Sequence, residues 1–143
     1  MDAVHALVGV TVILANVVAG AWGGWAWIRN EPAVGFWYAL RFAQVAVVAQ
    51  VMLGAVLLLL GQAADDLHYL YGVLPIAVSL TAEAIRSGAA ERELEGLDFE
   101  SLPKARQGAI ALAIVRRETG IMAVSAGIIV FLALRAAGTT PLI

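Results

Sequence analysis

Cysteine is absent from this 143-residue chain, and histidine occurs only twice, at His5 and His68. The first absence excludes disulfides, thiolate-held iron–sulfur clusters, thiol redox chemistry and lipid attachment at cysteine. The second confines any imidazole chemistry to one pair. Charge is scarce as well: Asp, Glu, Lys and Arg make up 14% of the chain, and the net charge is −2. That balance gives no basic footprint for nucleic acid, so no nucleic-acid partner is expected. Neither a phosphate loop, a nucleophile–base pair nor a carboxylate-rich metal motif argues for a hydrolase. Met1-Asp2-Ala3-Val4-His5 lacks the basic leader and small-residue cleavage site of a signal peptide, so the first apolar segment is expected to be a retained span.

Apolar sequence fills the space. Hydrophobic residues make up 62% of the chain, against roughly 45–50% in soluble domains, and the mean hydropathy is +0.87. The expected fold is all-α: an integral membrane four-helix bundle forming one transmembrane domain over residues 1–143. Its spans fall at about 3–27, 36–60, 67–86 and 118–137. Arg29-Asn30-Glu31-Pro32 stops the first segment, and Asp65 or Asp66 is placed to cap the third. Trp22, Trp25 and Trp27 gather at the end of segment one, which suits an interfacial belt. Gly9, Gly20, Gly23 and Gly24 let a neighbouring backbone approach that segment. Most charges lie between Arg86 and Glu118, in a stretch too polar to be buried in lipid. Residues 87–117 therefore read as a cytoplasmic helical hairpin tipped by 96–101, with the last helix starting after Ser101-Leu102-Pro103.

Arg29 and Arg41 flank the first connection; Arg86, Arg92, Lys104, Arg106, Arg116 and Arg117 flank the third. Positive-inside counting puts both connections in the cytoplasm and both termini outside, with Arg135 the one opposing residue. Segments one and three then enter from the same side. Aligned on their histidines, each has a glycine one turn later, Gly9 or Gly72, and a small polar residue further on, Asn16 or Ser79. The match suggests two helical hairpins related by a pseudo-two-fold axis.

His68 opens a helix whose stripe continues through Gly72, Pro75, Ser79, Glu83 and Arg86. Polar residues inside a membrane helix face protein or water rather than lipid. Two neutral imidazoles on different helices ligate a haem iron from opposite faces, and Gly9 and Gly72 leave room for a flat macrocycle. Here the pattern resembles the small four-helix membrane haem-b proteins, the cytochrome b561-like domains and one half of haem A synthase, in helix count and the two His positions. The resemblance implies haem b as cofactor and electron transfer or haem handling as function. Those families commonly offer more than two ligating histidines; this chain has two, which is enough for one haem. The alternative reading leaves both imidazoles among lipid headgroups, or uses Asp2, Asp65 and Asp66 to complete a metal site.

A second polar group is expected towards the other face: Arg41, Gln44, Glu83, Arg86, Arg116, Arg117 and Glu118 should lie at similar depth, with Glu83 paired to Arg41 or Arg117. It reads either as a structural lock or as a proton carrier centred on Glu83. Three functions stay open: a haem-b protein, an accessory subunit without chemistry, and a small proton- or ion-coupled transporter. The expected partners are the bilayer and a homodimer or larger membrane complex.

Overall fold

The computed structural model describes residues 2–139. Helix α1 runs Asp2–Arg29, α2 Val34–Leu59, α3 Asp66–Leu94 and α4 Lys104–Gly138, with a 3-10 turn at Phe99–Ser101. All four helices are long and apolar enough to cross a membrane. The chain is a multi-pass integral membrane protein with an all-α, four-helix bundle.

Each break has a local cause. Asn30, in the left-handed region at φ 58, ends α1 while its N–H and that of Glu31 reach back to Trp27 and Ala26; Pro32 then has no N–H to continue the ladder. Gly61, at φ 81, closes α2: Gln62 N bonds the Leu57 carbonyl and Gly61 N bonds that of Leu58, both at 3.0 Å. The start of α3 differs from expectation. Asp65 takes the N-cap position, but its side chain makes no cap bond; only its carbonyl accepts, from His68 N at 2.9 Å. Pro103 precedes the first residue of α4, where its missing N–H costs no helical bond.

α4, 35 residues long, is the hub: α1 and α3 both pack along it, and α1 also packs on α2. α2 and α3 touch at few points. The α1/α4 and α2/α3 contacts that a pseudo-two-fold would make equivalent are therefore unequal. Glycine explains the close packing of α1. Gly20 faces the α4 backbone, where an added Cβ would sit 3.6 Å from the Ala123 carbonyl oxygen; at Gly23 it would meet Phe36 Cε2 at 2.5 Å. Phe36 thereby joins Ala19, Leu40, Ala82, Met122 and Ala126 in one buried cluster, and Val12, Ala46, Val47 and Ile129 form a second.

α3 and α4 run on past α1 and α2 as a hairpin. Gln107 pins its tip by donating to the carbonyls of Phe99 and Leu102, each at 3.0 Å.

Candidate functional site

Two polar clusters occupy opposite ends of the bundle. The first holds both histidines. α1 and α3 lie diagonally across the bundle, yet the rings of His5 and His68 come within 6.0 Å between centroids, tilted by 53°. His68 Nδ1 is 3.0 Å from the Ala136 carbonyl oxygen. A carbonyl only accepts, so the proton is on Nδ1 and the Nε2 lone pair is left for another partner. His5 Nε2 is 3.1 Å from the Gln50 amide nitrogen, a donor, so that lone pair accepts from α2. The second amide atom of Gln50, Oε1, is buried without a hydrogen-bond partner.

The glycines beside the histidines differ from one another. A Cβ on Gly72 would meet nothing within 4 Å, so that face is open; one on Gly9 would lie 3.1 Å from Gln50 Nε2, so Gln50 fills the space expected to be free. On α2, a Cβ on Gly54 would lie 3.4 Å from His5 Cε1. Tyr69 accepts from the Ala64 N–H at 2.8 Å, and the Arg135 guanidinium stacks on Tyr71 at 5.6 Å. Among the described residues no group of three or more His, Cys, Asp or Glu is placed to hold a metal ion. The side chain of Asp2 lies outside the described part.

The second cluster ties three helices together. Glu83 of α3 accepts from Arg41 and, at 2.9 Å, from Gln44, both on α2. Its other oxygen takes Arg86 Nε at 2.9 Å and Nη2 at 2.8 Å. Arg86 then reaches Glu118 of α4 at 3.5 Å. Two arginines and two carboxylates share one half-buried site, so the group is neutral as a whole. The Arg86 guanidinium also lies over Trp37 at 5.6 Å, an attractive cation–π placement. Arg117, expected here, instead pairs with Glu93 at 2.9 Å on the surface between α3 and α4.

Between the clusters, buried Asn16 turns back on its own helix and donates to the Val12 carbonyl at 2.8 Å. The Ser79 hydroxyl is buried without a hydrogen-bond partner.

Sequence reasoning missed two participants. Gln50 was legible only as one polar residue inside an apolar span, and its place opposite His5 depends on the rotation of α2. Glu93 lies in a run with Glu91 and Glu95, where no pattern singles it out. No family model, no curated protein and no solved structure matches the chain.

Proposed function

We propose that this multi-pass membrane protein binds one haem b, which His5 and His68 would hold through its iron, for electron transfer or haem handling. The observation that carries the proposal is the meeting of the two imidazoles from helices that otherwise scarcely touch. Two imidazoles about 2 Å from a shared metal have ring centres about 6 Å apart, and the observed separation is 6.0 Å.

Three features support the fit. The Ala136 carbonyl fixes the His68 tautomer that exposes Nε2, the usual backing for a ligating imidazole. The α3 face at Gly72 is open, and the sparse α2/α3 seam leaves a flat ring a way in from the side. One group stands in the way: Gln50 holds His5 Nε2 and fills the Gly9 face, so it must swing aside. Its own amide oxygen has no hydrogen-bond partner in its present position, so the move breaks one neutral hydrogen bond. When bound, haem would supply a one-electron couple. The chain itself would hold the ring through its histidines and keep it among apolar side chains.

The other cluster favours the structural lock over the transporter reading, because both oxygens of Glu83 are engaged by cations and an amide. The count of arginine and lysine supports placing that end in the cytoplasm and the histidine end outside.

Absorbance of detergent-purified protein expressed with added haem precursor tests the proposal. We expect a low-spin spectrum near one haem per chain, converted or lost in His5→Ala and His68→Ala. A colourless protein, or a spectrum unchanged by both substitutions, overturns it and leaves the accessory-subunit reading.

A further inference from the structure

A groove of about 640 Å³ runs along the outside of the bundle between α3 and α4, well away from the histidines. Small residues make it: Ala77 and Ala82 on one wall, Gly120 and Ser125 on the other. Its lower edge is closed by Trp27, whose indole lies against α4 because Gly120 has no side chain; a Cβ there would be 2.8 Å from Trp27 Cε2.

The groove is charged at one end only. Along α4 its lining extends from Arg117 to Ile128, a rise of about 16 Å at 1.5 Å per residue. That is about half of a hydrocarbon core roughly 30 Å thick, the depth of one leaflet. A partner's transmembrane helix crosses both leaflets and would need a trough twice as long. A single acyl chain matches both the length and the polarity, with its headgroup at Arg117 and its methyl end at Ile128.

The headgroup follows from the ion pair. Arg117 Nη1 bonds Glu93 Oε1 at 2.9 Å, and both side chains stay accessible. The guanidinium keeps further N–H donors for a phosphodiester, and the carboxylate beside it favours an ammonium over a second anion. We propose that this groove is a binding site for a zwitterionic phospholipid of the phosphatidylethanolamine type, with phosphate on Arg117, ammonium on Glu93 and one acyl chain between α3 and α4. The site is independent of the haem proposal.

Native mass spectrometry of the full chain tests it, with dipalmitoyl phosphatidylethanolamine and dipalmitoyl phosphatidylglycerol added in equal amounts. The wild type should retain the ethanolamine lipid about threefold or more over the glycerol lipid. Glu93→Gln should erase that preference, and Arg117→Gln should weaken both lipids several-fold. Val124→Trp, which fills the trough, should remove both. Where Val124→Trp fails to fold, Ile128→Phe at the apolar end and the two exposed headgroup variants carry the same test. Equal retention of the two lipids by wild type overturns the headgroup assignment. Retention unaffected by filling the groove overturns the site, as does a dimer that the filling variants dissociate, since a second copy would then be the occupant.

Discussion

His68 and Ala136 join the first turn of α3 to the last turns of α4 through one bond, Nδ1 to carbonyl oxygen at 3.0 Å. That carbonyl also accepts from the Thr139 hydroxyl at 2.7 Å, so it is not orphaned when the imidazole goes. His68→Phe keeps an aromatic ring at the site and should cost only about 1 kcal/mol, read as a small fall in thermal midpoint in detergent. The same variant should convert or abolish the low-spin haem spectrum. A large stability loss would mean that His68 is chiefly a structural strut.

Gln50 is the side chain whose removal should help ligand binding. Gln50→Ala vacates the Gly9 face and releases His5 Nε2. Haem loading per chain should rise, while the haem-free protein loses about 1 kcal/mol with the neutral bond. Titration of purified protein with hemin measures the first effect and thermal unfolding the second. Lower loading in Gln50→Ala would show that the amide supports the cofactor rather than blocking it.

At the opposite end, Glu83→Gln strips both Arg41 and Arg86 of their shared carboxylate. With Glu83 27% exposed, the cost should be about 1–3 kcal/mol, below that of orphaning a fully buried charge. Arg41→Gln should cost less, about 0.2–1 kcal/mol, because that side chain is half exposed and Arg86 stays on Glu83. Unfolding midpoints of the two variants give the order. The reverse order would place the weight of the cluster on α2.

Two glycines three residues apart on α1 should respond in opposite ways. Gly23→Ala drives a methyl into Phe36, which is buried and has no free space to move into, and should cost about 1–3 kcal/mol. Gly20→Ala makes only ordinary contacts of 3.6 Å or more and should be neutral or slightly stabilising, since alanine favours helix by about 0.5–1 kcal/mol. Thermal unfolding of the pair checks the packing of α1 directly.

What was legible in the sequence was depth. Hydropathy located all four helices, the Asn30-Glu31-Pro32 break located the first connection, and equal depth paired Arg41 with Glu83 across α2 and α3. Rotation about the helix axes was not legible, because a helix apolar on most faces has no strong stripe to orient it. Gln50 facing His5 and Arg117 facing Glu93 both depend on that rotation. So does Trp27, which lies on Gly120 as a packing group where position alone suggested an interfacial anchor. The inequality of the α1/α4 and α2/α3 contacts was hidden for the same reason.

The central position of α4 bears on how the protein is made. Synthesis delivers α1, α2 and α3 to the bilayer before the helix on which α1 and α3 pack has left the ribosome. The α1–α2 hairpin can close early around Phe36, and Glu83 of α3 can meet Arg41 and Gln44 on it, but Arg86 waits for Glu118 and α3 otherwise makes little contact with α2. Assembly is set by the helix that arrives last.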